Sequence, residues 1–355
     1  IVIVGGGSSG WITAATMIGV PGAEVTVIES PNIPTIGVGE STISGFVDWM
    51  NLIGISPEDM MKDTDASYKL AIKFEDFLGP GHECYYPFGT TILNEERCTT
   101  WEKRRMISPE IHQSFADTFF ANMALIRANK MKKDSNVFQH NCHALHFDAA
   151  KFGTWLRDNY CSSRRVKNIK MDVTHIEVDE GGIKWLELSD GIRVEADLYI
   201  DCSGFKGALI EAVMGEPFIS FSDSLFCDKA IAAPIPYKDK KSEMEPYSKM
   251  YTMNSGWLWK TPIYDRIGSG YVYSSKHISD EDAEKEFREF HNGYDGKVLK
   301  INMRIGTREK VAVKNVVACG LAGGFAEPME STGISTFQGI MATLATELER
   351  NNLNY

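Results

Sequence analysis

The chain has 355 residues, 43% of them apolar and 24% charged, a globular composition that excludes wholesale disorder and leaves room for about two domains. Lys and Arg number 37 against 48 Asp and Glu, so the net charge is −11, and an acidic chain argues against nucleic acid as a partner. No run of about 18 apolar residues occurs, so no membrane-spanning helix is expected.

Residues 1–4 are a short β-branched run and read as a buried strand. The turn Gly5-Gly6-Gly7-Ser8-Ser9-Gly10 leads into a predicted helix over 11–18, and 24–29 reads as a second strand ending on Glu29. Residues 45–78 read as mainly helical, 83–100 as loops and short strands, and 114–133 and 148–160 as helices. From 169 the hydrophobic period falls to two. Antiparallel strands are predicted over 170–178, 183–188 and 192–196, with Gly181-Gly182 and Asp190-Gly191 as turns. A short buried strand follows at 197–201. Longer strands over 224–233, 247–263 and 268–276 make a second sheet, and a charged helix spans 279–291. A strand at 311–319 and a long helix at 334–350 complete the pattern.

The glycine turn carries the first chemistry. In Gly5-x-Gly7-x-x-Gly10 the first glycine permits the tight turn, the second admits a pyrophosphate, and the third lets the helix pack on the strand. Ser8 and Ser9 sit at the helix start, where free N–H groups favour anions. Glu29 ends the next strand 19 residues after Gly10 and is placed to accept from a ribose. Strand, turn, helix, strand and acid in that order predict dinucleotide binding.

The stretch Ala196-Asp197-Leu198-Tyr199-Ile200-Asp201-Cys202-Ser203-Gly204 resembles the second fingerprint of FAD-containing oxidoreductases of the glutathione-reductase type. Asn315-Val316-Val317-Ala318-Cys319-Gly320 resembles their third, with Leu321 in place of the usual acid. These resemblances favour FAD over NAD and place Gly320 beside the flavin. They imply an α/β fold with α+β lobes: a glutathione-reductase-type Rossmann fold with an antiparallel-sheet substrate lobe and helical additions. The lobes are expected to interleave. Residues 1–79, 140–215 and 305–355 form the FAD-binding lobe; 80–139 and 216–304 form the substrate lobe.

Further motifs narrow the chemistry. Trp257-Leu258-Trp259-Lys260-Thr261-Pro262 puts two tryptophans on one strand face. It resembles the W-x-W-x-I-P signature of flavin-dependent tryptophan halogenases, with Thr261 for isoleucine. Gly5 to Ala14 resembles that family's G-G-G-x-x-G-W-x-x-A. Ile36-Gly37-Val38-Gly39-Glu40-Ser41-Thr42 resembles its I-G-V-G-E-A-T, and Tyr68-Lys69-Leu70-Ala71-Ile72-Lys73-Phe74 its F-K-x-x-I-K-F. His143-Ala144-Leu145-His146-Phe147-Asp148-Ala149 resembles H-A-x-H-F-D-A, and Glu327-Pro328-Met329-Glu330-Ser331-Thr332-Gly333 resembles E-P-L-E-S-T-G. The motifs run in family order over nearly the whole chain.

The resemblance implies a monooxygenase-like, two-component flavoprotein oxidoreductase. Reduced FAD (FADH2), O2 and halide yield hypohalous acid, which travels to a lysine facing an electron-rich aromatic ring. That lysine corresponds to Lys69, with Lys73 the competitor from spacing alone. Its role, haloamine or hydrogen-bond donor to the acid, stays open. Glu330 corresponds to the catalytic carboxylate, and Thr332 and Gly333 to the main-chain site for chloride, bromide or iodide. Trp257 and Trp259 correspond to the barrier between substrate and flavin. Gly37, Val38, Gly39 and Glu40 lie in the loop expected over FAD.

The partners implied are an aromatic small molecule and a separate NAD(P)H-dependent flavin reductase, since no second G-x-G-x-x-G appears. A homo-oligomer is left open. Thr99-Thr100-Trp101-Glu102 lacks the histidine that precedes the tryptophan in tryptophan halogenases. Indole, phenol and tryptophan therefore stand as equal substrate classes. A flavin monooxygenase and a non-catalytic FAD-binding protein are the competing readings.

The seven cysteines are scattered without C-x-x-C, which fits a reducing, cytoplasmic compartment. The cluster around His140, His143 and His146 has no complementary second group, so packing or capping before the 148–160 helix is expected and no metal. A few residues are expected ahead of Ile1, and the C-terminal end is expected to be compact or cut.

Overall fold

The structure is a computed structural model that describes residues 1–33, 39–89, 95–111, 114–131, 142–327 and 329–351. Among them, a six-stranded sheet holds the Rossmann unit. Its centre is Val2–Val4, paired in parallel with Thr26–Glu29 on one side and Tyr199–Asp201 on the other. Val316–Ala318 adds in parallel beyond Tyr199–Asp201, and Lys167–Lys170 beyond Thr26–Glu29. Such central strands are covered on both faces, which explains their unbroken apolar runs. The helix Ser8–Met17 follows the glycine turn and buries Trp11, Ile12, Ala14, Ala15 and Met17. The long helix Gly333–Arg350 packs beside it.

A seven-stranded sheet forms the second large layer. Its middle is a meander: Tyr247–Met253, Gly256–Pro262, Ile267–Tyr273 and Lys229–Ile235, all antiparallel. Ala71–Glu75 joins its edge in parallel with Tyr247–Met253. A small three-stranded sheet, Glu40–Ser41, Ala144–Phe147 and Ser67–Lys69, lies at the junction. Leu70 alone separates its last strand from the seven-stranded sheet.

Several sequence expectations change. Residues 67–75, read as helix, are two strands; Ser67–Lys69 pairs with Ala144–Phe147, and Ala71–Glu75 with Tyr247–Met253 and with the nearby Glu83–Pro87, pairings that local propensity does not register. The stretch 247–263 is a hairpin, with Met253 opposite Gly256 and Asn254-Ser255 as the turn. The stretch 170–178 is split: Lys167–Lys170 belongs to the core sheet and Val173–Asp179 to a separate antiparallel meander. The helix read over 114–133 is two short ones, Phe115–Phe119 and Asn122–Arg127, because Phe120 is extended. The helix at 148–160 begins at Ala149 with Asp148 as its cap and ends in a π-helical turn. The helix Glu95–Ile107, which carries Trp101, buries none of its residues. No helix of the described residues is long and apolar enough to cross a membrane.

Candidate active site

The nucleotide cradle is built by close backbone approach. Gly5 has φ +124°, and a Cβ there would lie 2.2 Å from the carbonyl oxygen of Cys202. A Cβ on Gly10 would lie 1.9 Å from the Gly5 carbonyl oxygen. No side chain fits either place, so turn, helix and the strand ending at Asp201 are drawn together. A Cβ on Gly7, by contrast, would meet nothing within 4 Å. That open face, at the start of Ser8–Met17, is where a pyrophosphate fits. Ser9 in that first turn faces Gly320, whose Cβ would come within 2.8 Å of the Ser9 Cβ. Ser8 donates its hydroxyl to the Ala149 carbonyl at 2.9 Å, so the helix start is anchored.

Glu29 stands at the end of its strand, receiving Asn168 Nδ2 at 3.0 Å, with Arg157 and Lys170 at 3.7 Å. These residues fit the ribose and pyrophosphate of a flavin dinucleotide. Gly39 is buried against Gly268. Gly37 and Val38 lie outside the described residues.

Lys69 lies at the junction of the sheets and is 0% exposed. Its ammonium donates to the Thr42 carbonyl at 2.8 Å and to Ser331 Oγ at 2.9 Å. It also sits 5.1 Å from the Phe88 ring centre. Both acceptors are neutral oxygens, and burial pulls its pKa well below that of an ordinary lysine; the charge of nearby Glu40 opposes this. Burial pushes Glu40, which is only partly exposed, up to about 7, against the Ser41 N–H and the Lys69 charge.

Lys73 is different. It forms ion pairs with Glu75 at 2.9 Å and Glu83 at 2.6 Å. Burial pulls it down, but the hydrogen bonds it donates to Glu83 and Glu75 outweigh that and hold it above an ordinary lysine. The two lysines, four apart, therefore occupy different sheets and opposite electrostatic settings.

Trp257 and Trp259 share one face of their strand, with ring centres 6.1 Å apart. Trp257 donates Nε1–H to Glu327 Oε2 at 2.7 Å. The Trp259 indole lies across Gly270 of the next strand, where a Cβ would be 2.1 Å from the ring. Both tryptophans pack in one apolar cluster with Phe74, Phe88 and Met329. Phe88 also faces the Lys69 ammonium, so the lysine and the tryptophans border one apolar body.

The segment 329–333 meets Lys69 through an unexpected residue. Glu330 is exposed, whereas Ser331 is buried and holds a left-handed φ of +63°. Such backbone is unfavourable for serine, and it is held here by the bonds to Lys69 and to Ser41 Oγ at 3.1 Å. Thr332 is the exposed N-cap of Gly333–Arg350, whose first turn presents N–H groups without intrahelical acceptors.

Sequence reasoning passed over Ser331, Ser41 and Glu327. Ser331 and Glu327 lie within the matched motif, and Ser41 replaces its alanine. His146 does not cap the helix that follows, whose cap is Asp148. It is buried, and it hydrogen-bonds Ser248 at 2.9 Å and Ser67 at 3.2 Å. His140 lies outside the described residues.

The family model described as "Tryptophan halogenase" matches residues 1–354. The chain belongs to the tryptophan halogenase family. This family member is 34% identical to the tryptophan 6-halogenase ThaL of Streptomyces albogriseolus, over 94% of this chain and 67% of the relative. It is 33% identical to the tryptophan 7-halogenase RebH of Lentzea aerocolonigenes, over 100% of this chain and 71% of the relative. Among solved structures, the apo structure of VirX1 superposes with a TM-score of 0.93 at 37% identity, covering 100% of this chain and 71% of that one. The fold is thus that of flavin-dependent halogenases, and the family member spans about two thirds to seven tenths of these relatives.

Proposed function

We propose that this protein is an FADH2-dependent halogenase that forms hypohalous acid from halide and O2 and delivers it through Lys69 to an electron-rich aromatic compound of tryptophan, indole or phenol type. The observation that carries the reading is Lys69 itself. It is fully buried, hydrogen-bonded among the described residues to two neutral oxygens, and bordered by the apolar body that holds Trp257 and Trp259.

Gly5, Gly7, Ser8, Ser9, Gly10, Glu29 and Gly320 would hold FAD, with Gly39 and Glu40 in the loop nearby. Bound FADH2 supplies, with O2, the two-electron oxidation of halide. The first-turn N–H groups at Thr332 and Gly333 suit the halide as an anion. The rigid indoles of Trp257 and Trp259 would keep substrate from the flavin. Lys69 donates a hydrogen bond to the acid or, as the neutral amine, attacks it. Glu330 takes the proton released by the aromatic ring. Reducing equivalents come from a separate flavin reductase, and the seven free thiols suit a reducing cytoplasm.

The test is mass spectrometry of an aromatic panel incubated with FAD, a flavin reductase, NADH, O2 and each halide, with peroxide scavenged. Halogenated product is expected from the wild type. Lys69→Ala is expected to lose it while binding FAD with unchanged affinity in an absorbance titration. Full product from Lys69→Ala would move the role to another residue. Oxygenated product without halogen would identify a monooxygenase instead.

A further inference from the structure

Behind Lys69 runs a continuous file of buried side chains. Lys69 Nζ donates to Ser331 Oγ at 2.9 Å, and Ser331 Oγ donates to Ser41 Oγ at 3.1 Å. Ser41 Oγ meets Ser248 Oγ at 2.8 Å, and Ser248 Oγ meets His146 Nε2 at 2.9 Å. On its other side His146 Nδ1 is 3.2 Å from Ser67 Oγ, which donates to the Pro262 carbonyl at 2.6 Å. Every one of these side chains is buried. The small sheet explains the file: Ser41 and Ser67 lie opposite His146 in register, one on each neighbouring strand.

The two ends fix the direction of every bond. The Pro262 carbonyl only accepts, so the Ser67 hydroxyl points to it and accepts from His146 Nδ1–H. His146 Nε2 is then bare and accepts from Ser248. At the other end an ammonium only donates. All the serine hydroxyls therefore point the same way, from Lys69 towards His146.

We propose that Ser331, Ser41 and Ser248 form a proton path by which Lys69 lends a proton to His146 and takes it back, leaving the lysine a free amine during halogen transfer. This deepens the reading of Lys69 as the halogen-delivering residue and rests on it. The balance is simple. One proton leaves Lys69 Nζ for Ser331 Oγ, each serine passes on its own, and His146 Nε2 receives the last. The lysine becomes neutral and the imidazole becomes imidazolium. The amine and hypohalous acid then give an N-halo lysine and water; transfer of halogen to the ring leaves the nitrogen one proton short, and the proton shed by the ring, passed on by Glu330, restores the amine. Because Ser67 ends on a carbonyl, the proton has no onward route and returns to Lys69.

Two further features agree. Burial lowers both Lys69 and His146 well below their ordinary values, and the lysine's charge lowers His146 further, so a charge on one group opposes a charge on the other. Glu40, on the strand that carries Ser41, is the carboxyl group whose field reaches Lys69. Ser41 is the link that the family's I-G-V-G-E-A-T pattern lacks.

The test uses an isosteric pair at the middle link. Ser41→Thr keeps the hydroxyl; Ser41→Val keeps the threonine shape without it and leaves little room for water. In single-turnover halogenation across pH, wild type and Ser41→Thr are expected to share a profile. Ser41→Val is expected to lose about tenfold near neutral pH and to recover as pH rises, since the amine must then lose its proton to solvent. Nitrogen-15 NMR of the resting protein, with His146 assigned by His146→Gln, is expected to show the Nδ1–H tautomer.

Equal profiles for Ser41→Val and Ser41→Thr overturn the path, as does an Nε2–H tautomer. A wild type that makes no halogenated product overturns the halogenase reading instead, and the NMR result stands apart from that outcome.

Discussion

At the scale of single residues, the site is an arrangement of buried ionisable groups whose protonation is coupled to folding. Glu40 has an ordinary value of 4.5 and is raised to about 7 in the fold. Between those values the folded protein holds a proton that the unfolded chain has lost, so stability is full below 4.5 and falls as pH rises through about 7. The shift of 7 − 4.5, or 2.5 units, corresponds to about 3 kcal/mol. Glu40→Gln is expected to flatten that part of the stability curve, read by urea unfolding from pH 4.5 to 8. An unchanged slope would show that Glu40 stays ionised. Lys69 and His146 have the opposite sign: lowered in the fold, they cost stability as pH falls below 10.5 and 6.5 respectively. Lys69→Met is expected to gain stability most at neutral pH and least above pH 10.5, in the same titration.

At the scale of elements, the tryptophan strand depends on the one beside it. Trp259 lies flat because Gly270 has no side chain, and a methyl group there would overlap the ring. Gly270→Ala is expected to destabilise by about 1–3 kcal/mol and to raise peroxide release per halogenation, as the displaced indole opens the apolar body. Combining it with Trp259→Leu is expected to restore stability but not the coupling. A Gly270→Ala protein with wild-type melting temperature and yield would remove Trp259 from the barrier.

The elements also show what the sequence made legible. The Rossmann unit could be read directly, because its strands are short apolar runs punctuated by glycines whose packing role is local. The helix Asp280–Phe290 was legible for the same reason: a Ser279 cap and acids in its first turn. The lysine strand was not. Ser67-Tyr68-Lys69 offers no β-branched residue, and the spacing of Lys69 and Lys73 imitates a helix turn. Only strands 75 or more residues away, starting at Ala144, make it a strand. The role of Ser331 was hidden for a related reason: what selects it over Glu330 is a backbone angle, which composition does not encode.

At the scale of the molecule, one nucleotide cradle serves one dinucleotide. The described residues contain a single glycine turn built like that at residues 5–10, and under the proposed function FAD fills it. NADH alone is therefore expected to leave the visible band of bound FAD unbleached over minutes, while a catalytic amount of flavin reductase bleaches it. Rapid bleaching by NADH alone, followed by stopped-flow absorbance, would place a nicotinamide site on this chain.

Lys69 and Ser331 are 262 residues apart, and Ser41 and Ser331 are 290 apart. A chain emerging from the ribosome exposes the lysine early, while the N-terminal elements are already folding. Until residue 331 has emerged, that lysine has no serine partner, and the helix start that follows at Gly333 does not yet exist. The two sides of the lysine's hydrogen-bonded setting are therefore joined only once residues made far apart in time are both present.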